Sequence, residues 1–112
     1  MKNYKRIELI ETCGACPEQY DAYYEGQKVG YLRLRHGYFR AEYKGKIVYD
    51  AQTIGDGMFE SDERKIHLKK AKKKIYKAMI NDLEKLQIKA IKSKTNLKNY
   101  IENLLIKHSD EK

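Results

Sequence analysis

The sequence predicts an α+β fold, in which an antiparallel sheet of four to five strands packs on one long C-terminal helix, followed by a short helix. Short aromatic and β-branched runs, separated by glycine-containing turns, fill residues 4–50 and are typical of β-hairpins. From residue 61 onward, apolar residues recur every three or four positions, which indicates amphipathic helix. A chain of 112 residues has room for one such domain with a single core.

Five runs in the first half are predicted as the strands of a hairpin meander. In the first run, Ile7 and Leu9 fall on one face, because side chains alternate along a strand. The predicted strands cover residues 4–11, 19–25, 28–35, 38–43 and 47–50, and a loop over 51–60 follows. The predicted turns are residues 12–17, Gly26-Gln27, His36-Gly37 and Lys44-Gly45-Lys46.

The turn at His36-Gly37 predicts the register of one hairpin, because a two-residue turn pairs the residues that flank it. Arg33 then lies opposite Arg40, and Leu34 lies opposite Phe39. The apolar side chains share one face, which is the predicted core face, with Leu32, Leu34, Phe39 and Ala41. The outer face carries Tyr31, Arg33, Arg35, Tyr38, Arg40 and Glu42.

The second half predicts two helices. Ser61 is the predicted N-cap, with Asp62 and Glu63 in the first turn, where the helix dipole favours acidic side chains. The polar run over residues 92–96 is predicted to end this helix, and a shorter helix is predicted over 96–108. The apolar stripe of the long helix consists of Leu68, Ala71, Ile75, Met79, Leu83, Leu86 and Ala90.

These elements predict an α+β domain over residues 1–92, with the sheet in 4–50 and the long helix in 61–92. Such a helix would be about 45 Å long, which is more than a small sheet can cover. Its far half is expected to pack on the helix over 96–108, on a second copy of the chain, or on another partner. The long helix therefore allows a homodimer.

Positive charge is concentrated in the second half of the chain. Residues 1–62 carry nine Lys or Arg and ten Asp or Glu, whereas residues 63–112 carry fifteen basic and six acidic residues. The net charge of +8 suggests an anionic partner, and nucleic acid is the commonest one.

The outer face of the predicted hairpin is the first candidate contact surface. Arg33 directly opposite Arg40 is unfavourable unless an anion or an acid lies between them. Arginine offers a planar fork for phosphate or carboxylate, and flanking tyrosines suit single-stranded nucleic acid. Pairing with Glu42 and acids of neighbouring strands is the structural alternative. The predicted binding residues are Tyr31, Arg33, Arg35, Tyr38 and Arg40.

A lysine-rich stretch of the long helix is the second candidate surface. Several of its lysines are four residues apart, an arrangement that destabilises an isolated helix and that a phosphate backbone would offset. A solvated face without a ligand and a surface for an acidic protein are the alternatives. The predicted residues are Lys69, Lys70, Lys73, Lys74 and Lys77.

No motif in the sequence predicts catalysis or a cofactor. Cys13 and Cys16 are weak metal candidates, because a zinc site needs two more ligands and no histidine pair has suitable spacing. A structural turn is the favoured interpretation of this segment, and a redox motif lacks the helix that should follow it. Asp56, Glu60 and His36 are minor catalytic candidates. We therefore expect no enzyme activity, no metal and no cofactor.

The chain contains no apolar run of the roughly 20 residues needed to span a bilayer. The segment that begins Met1-Lys2-Asn3 lacks the pattern of a signal peptide, because Glu8 interrupts its apolar stretch. The sequence thus predicts a cytoplasmic protein without a membrane partner.

Three segments carry a resemblance to a known group of proteins. They are Cys13-Gly-Ala-Cys-Pro-Glu-Gln-Tyr-Asp21, Val29-Gly-Tyr-Leu-Arg-Leu-Arg-His-Gly-Tyr-Phe39 and Gly55-Asp-Gly57. Together they resemble small uncharacterised proteins from phages and mobile elements of Gram-positive bacteria. The resemblance spans residues 4–75 and implies a mobile-element context rather than a mechanism.

A much weaker resemblance involves Tyr43-Lys-Gly-Lys-Ile-Val48 followed by Lys69-Lys70-Ala71-Lys72. It is similar to the last strand and second helix of a double-stranded RNA-binding domain. The lysine motif is one residue shorter than that family's Lys-Lys-x-Ala-Lys. The family's first helix is missing, and a loop over residues 51–66 is added.

The sequence therefore predicts a small non-enzymatic binding protein, encoded by a phage or mobile element. Its expected partner is nucleic acid, or a host complex that handles nucleic acid. The alternative is a protein–protein inhibitor or adaptor of the anti-defence type, which binds a host enzyme without touching nucleic acid.

Overall fold

The computed structural model of the chain describes residues 3–14 and 17–110, with helix side chains described up to Lys94 and at Asn99. A 3₁₀ helix, Asn3–Arg6, precedes five strands and one helix. The strands are β1 (Glu8–Cys13), β2 (Glu18–Tyr24), β3 (Gln27–Arg35), β4 (Tyr38–Tyr43) and β5 (Lys46–Gln52), and the helix is α1 (Ser61–Asp110).

The five strands form one antiparallel meander in the order β1-β2-β3-β4-β5, which confirms the predicted α+β fold. In the β3–β4 hairpin, Arg33 pairs with Arg40 and Leu34 with Phe39, so the predicted register is confirmed. The predicted core-face residues of this hairpin are fully buried: Leu32, Leu34, Phe39 and Ala41.

Three hairpin turns share one backbone geometry. Each has a non-glycine residue with positive φ followed by a glycine with positive φ, as in type I′ turns, whose twist matches that of the strands. The pairs are Glu25-Gly26, His36-Gly37 and Lys44-Gly45, with φ between 49° and 79°. The first turn therefore lies one residue earlier than the predicted Gly26-Gln27.

The N-terminal segment differs from its prediction. Residues 3–6 form a 3₁₀ turn closed by a bond from the Ile7 N–H to the Tyr4 carbonyl, so β1 begins at Glu8 rather than at residue 4. This turn buries Tyr4 and Ile7 against the core. Burial of those two side chains outweighs the local strand pattern that predicted an extended chain.

The core lies between the inner face of the sheet and the first five turns of α1. Ala71, Ile75 and Met79 of the predicted apolar stripe are buried there. Gly30 allows close approach, because a β-carbon at this position would lie 2.6 Å from the Glu42 carbonyl oxygen and 3.2 Å from Ile75 Cδ1. Small residues at the crossing thus set how closely helix and sheet pack.

The helix begins with a cap made by its own acidic side chain. The first helical bond joins the Arg64 N–H to the Glu60 carbonyl at 3.1 Å, so the cap is Glu60 and the predicted cap at Ser61 is wrong by one residue. The Glu63 carboxylate accepts N–H groups of Ile54, Gly55 and Glu60 at 2.8–2.9 Å. Burial acts to raise the pKa of Glu63, but these bonds outweigh it, and the pKa is lowered.

Helix α1 runs without interruption to Asp110, so the predicted break over residues 92–96 is wrong. That segment is polar but contains neither glycine nor proline, and its residues are compatible with helical backbone. The side-chain packing predicted for residues 96–108 lies outside the side chains that the structure describes. The chain divides into two compact units, Met1–Ile80 and Asn81–Lys112.

Glu18 is the only fully buried charged side chain among the described residues, with 1% of its surface exposed. Its carboxylate accepts two hydrogen bonds from Arg64 at 3.0 Å, one from the Phe59 N–H at 3.1 Å and one from the Tyr20 hydroxyl. Burial acts to raise the pKa of Glu18, but these donors outweigh it, and the pKa is lowered. The carboxylate thus joins β2, the loop before α1 and the first turn of α1.

Because the pKa of Glu18 is lower in the folded chain than its ordinary value of 4.5, its contribution to stability is present above that value. The contribution is lost as pH falls through the lowered pKa. We expect Glu18→Gln to reduce the free energy of unfolding at neutral pH by about 3 kcal/mol, because Arg64 would lose its charged partner. The variant should also lose stability less steeply in acid, as measured by urea unfolding between neutral and acid pH.

Glu60→Gln is the matched control, since Glu60 is an exposed glutamate of the loop that precedes α1. Equal stability of Glu18→Gln and Glu60→Gln would contradict the anchoring role of Glu18.

Candidate anion-binding site on the outer face of the sheet

The β3–β4 hairpin places its basic side chains on the face of the sheet opposite to α1. Leu32 and Leu34 point toward the helix, so alternation directs Arg33 and Arg35 to the other side. Arg40 and Tyr38 reach the same face from β4 through the observed register. The structure therefore brings together the five residues predicted for the first contact surface, including Tyr31.

Four of these residues and His36 line a shallow cavity of about 450 Å³, here called the arginine hollow: Arg33, Arg35, His36, Tyr38 and Arg40. Every one of these side chains can donate a hydrogen bond, and no carboxylate is among them. Arg35 Nε donates to His36 Nε2 at 3.2 Å, which leaves the other ring nitrogen of His36 to carry a proton. The arginine hollow has the chemistry of an anion-binding site.

Acidic neighbours balance only part of the positive charge. Arg40 Nε lies 2.9 Å from a Glu42 carboxylate oxygen, although its N–H group is not directed at that oxygen and makes no hydrogen bond. The Tyr38 hydroxyl donates to Asp50 at 2.9 Å, and this bond raises the pKa of Tyr38. The structural alternative, in which strand acids pair with the arginines, thus holds for Arg40.

Arg33 is different from Arg40. Like the Arg40 Nε atom, the Arg33 Nε atom is buried without a hydrogen-bond partner, but within the described chain no carboxylate forms an ion pair with Arg33 or Arg35. On β2 its cross-strand neighbour is the neutral Gln19, and on β4 it is Arg40. Directly opposed like charges are unfavourable in a sheet, so an anion between these two guanidinium groups would stabilise the hairpin.

The loop before α1 positions one end of the arginine hollow. The Gly37 N–H donates to the Asp56 carbonyl at 2.7 Å, and the Thr53 N–H donates to the Gly37 carbonyl at 2.8 Å. These bonds hold the turn that carries His36. A second cavity of about 370 Å³ adjoins this turn and is lined by Pro17, Gln19, Arg33, Arg35, His36, Asp56 and Gly57.

The sequence pattern predicted His36 only as a turn residue and a minor catalytic candidate. The available signal was its position directly after Arg35, at a turn that brings it beside Tyr38. Asp56 and His36, two of the minor catalytic candidates, line the same second cavity, whereas Glu60 lies in the loop with an exposed side chain.

The predicted lysine surface lies on the other layer of the domain. Lys69, Lys70, Lys73, Lys74 and Lys77 are all exposed on α1, facing away from the sheet or beside its margin. Lys73 Nζ lies 5.2 Å from the centre of the Tyr4 ring, within the range of a cation–π contact. The two predicted contact surfaces are therefore on opposite faces of the first unit, and one flat ligand cannot cover both.

Cys13 is exposed at the end of β1, and Cys16 lies outside the described residues. Among the side chains that the structure describes, no group of three or more His, Cys, Asp or Glu is arranged to hold a metal ion. None of the described helical segments combines the length and hydrophobicity that a membrane-spanning helix needs.

Comparison of the chain with protein-family models, with curated proteins and with solved structures found no match.

If the arginine hollow binds anions, inorganic phosphate should raise the melting temperature above that in chloride of equal ionic strength. Binding to the folded chain alone adds about 1.4 kcal/mol to its stability when the anion is at ten times its dissociation constant. We expect Arg33→Gln and Arg40→Gln to remove this increase in thermal unfolding monitored by circular dichroism.

Lys46→Gln is the control, because Lys46 is an exposed cation of β5 that does not line the arginine hollow. An increase that survives in both arginine variants would place phosphate elsewhere on the protein.

Proposed function

We propose that this protein is a small, non-enzymatic binding protein that engages nucleic acid, or a host complex that handles nucleic acid. The observation that supports this function is the arginine hollow, where Arg33 lies opposite Arg40 and every lining side chain is a hydrogen-bond donor. Arginine forks bind phosphate oxygens in two parallel hydrogen bonds, which suits a nucleic-acid backbone.

The tyrosines beside the arginine hollow favour single strands over duplexes. Tyr38 is exposed at 37%, and Tyr31 is half-buried on the same face. Bases of a single strand stack on aromatic rings, whereas bases inside a duplex are not available for stacking. We therefore propose that a phosphate binds at the arginine hollow and that an adjacent base stacks on Tyr38.

The lysines of α1 belong to this proposal as a second surface. Lys70, Lys73 and Lys77 are exposed on α1 and not on the outer face of the sheet, so they would contact a different part of a long polyanion or an acidic surface of a nucleic-acid-bound host protein. Their like-charge spacing along the helix is unfavourable in isolation, and phosphate groups would offset it. A cytoplasmic location and a phage or mobile-element origin are part of the same proposal.

Titration of labelled single-stranded DNA and RNA with the protein tests this function. Fluorescence anisotropy reports binding, at low and at moderate salt. We expect affinity to fall steeply with salt, since displaced counterions accompany each phosphate contact. Arg33→Gln and Arg40→Gln should each weaken binding about tenfold. Each should also reduce the slope of log affinity against log salt concentration by about one. Lys46→Gln should change neither quantity by a comparable amount.

Absence of binding at low salt would rule out a nucleic-acid partner. Binding that persists in the arginine variants but is lost in Lys73→Gln combined with Lys77→Gln would move the contact surface to α1.

A second candidate function is a protein–protein inhibitor or adaptor of the anti-defence type. The observation that favours it is the apolar surface of the second unit, where four side chains are 48–64% exposed: Leu83, Leu86, Ile88 and Ile91. Exposed apolar groups in this number are typical of surfaces that bind another protein. Such binding would depend less on salt than binding of nucleic acid.

A homodimer through the long helix would use the same apolar side chains. In that case the wild-type chain should sediment as a dimer, and Leu83→Asp combined with Leu86→Asp should sediment as a monomer, because buried carboxylates destabilise an apolar interface. Lys85→Asp is the control, since Lys85 is exposed on the same segment. A monomeric wild-type chain would contradict the homodimer, and the apolar surface would then bind a different partner.

A further inference from the structure

Strand β1 is an edge of the sheet. It pairs with β2 on one side only, and along the described chain no other strand lies on its second side. Five of its six residues are exposed, and only Leu9 is half-buried. An open edge presents backbone N–H and C=O groups that can pair with another chain, and natural proteins usually cover or blunt such edges.

A trough of about 530 Å³ lies between this edge and α1. Its apolar floor is formed by Leu9, Leu68 and the rings of two tyrosines, and four lysines surround that floor. The residues of this lysine trough are Tyr4, Lys5, Leu9, Tyr20, Lys65, Leu68, Lys69 and Lys72. No carboxylate lines the trough, and no ion pair engages its lysines among the described residues.

We propose that the lysine trough is a docking site for an acidic, partly aliphatic peptide segment of a partner protein, which adds to β1 as an extra strand. Main-chain hydrogen bonds to β1 would supply affinity, and side chains on alternate positions would supply specificity. An aliphatic side chain of the peptide packs on Leu9 and Leu68. Carboxylates on the same face of the peptide reach Lys65, Lys69 and Lys72.

The floor of the trough distinguishes a peptide from nucleic acid. Bases stack on open aromatic rings or on guanidinium planes. The trough contains no arginine, and its tyrosines Tyr4 and Tyr20 are only 8% and 7% exposed. The accessible floor is therefore aliphatic, which suits leucine-like side chains rather than bases.

The charges of the trough also favour an acidic occupant. Lys65 and Lys69 are four residues apart and Lys69 and Lys72 three apart, so their ammonium groups repel one another on the helix surface. Carboxylates placed among them would relieve this repulsion without the fixed geometry that arginine forks require. This proposal does not rest on the proposed function, because the arginine hollow lies on the opposite face of the sheet.

The test uses the full chain and a short fluorescein-labelled peptide of alternating glutamate and leucine. We expect saturable binding by anisotropy, and no binding of the matched peptide in which lysine replaces glutamate. Lys65→Glu combined with Lys72→Glu should weaken binding at least about tenfold. Lys70→Glu, an exposed lysine of the same helix outside the trough, should leave binding unchanged.

One further measurement and one substitute variant keep the outcome decisive. Amide hydrogen exchange of residues 8–13 should slow when the peptide is bound, because strand addition pairs the open edge of β1. If the double variant does not fold, as judged by circular dichroism, Lys5→Glu serves in its place.

Equal binding by the trough variants and Lys70→Glu, or binding without slower exchange in β1, would overturn the proposal. Competition by a single-stranded oligonucleotide would assign the trough to nucleic acid instead. Arg33→Gln should bind the peptide normally, so failure of this proposal and failure of the proposed function are separate results.

Discussion

The buried carboxylate of Glu18 is the contact on which the arrangement of the first unit depends. It sits at the start of β2 opposite Leu34, and it receives donors from the loop and from Arg64 on α1. A buried charge without partners would be strongly unfavourable, so these donors must stay in place together. Loop, sheet and helix therefore meet at this carboxylate, and the loop in turn holds the hairpin turn at Gly37.

The two faces of the β3–β4 hairpin show how one local pattern places apolar side chains in the core and arginines on the outer face. The inner side chains close the core against α1, with Gly30 leaving space for the side chain of Ile75. The same alternation forces arginines onto the outer face in direct opposition. Glu42 of β4 compensates part of this charge at Arg40, and the remainder stays at Arg33 and Arg35. Stability of the core thus constrains where the cationic groups can lie.

Positive charge is distributed over three separate surfaces rather than one. The arginine hollow lies on the outer face of the sheet, the lysine trough lies beside the β1 edge, and Lys70, Lys73 and Lys77 are exposed on α1 outside the trough. Each surface has a different geometry: planar forks with tyrosines, ammonium groups above an aliphatic floor, and a solvated helical row. Net charge alone indicates an anionic partner, whereas our proposals of a phosphate ligand at one surface and a carboxylate ligand at another come from these local geometries.

Local sequence determined the hairpin register and the long helix. Alternation around the His36-Gly37 turn is compatible with one strand pairing that buries the leucines. Apolar residues spaced three or four apart define a helical stripe. The hairpin register and the helix therefore both follow from residues that are near one another in the chain. Only the tertiary structure decided the contact between Glu18 and Arg64. It also decided that Lys5 and Leu9 line the same trough as Lys65, and that residues 3–6 form a 3₁₀ turn. The sequence pattern also predicted a break in α1 at residues 92–96, which is wrong because polarity interrupts the apolar stripe there but leaves the backbone helical. Those features arise from contacts between residues far apart in the chain, or from backbone preferences that apolar periodicity does not report.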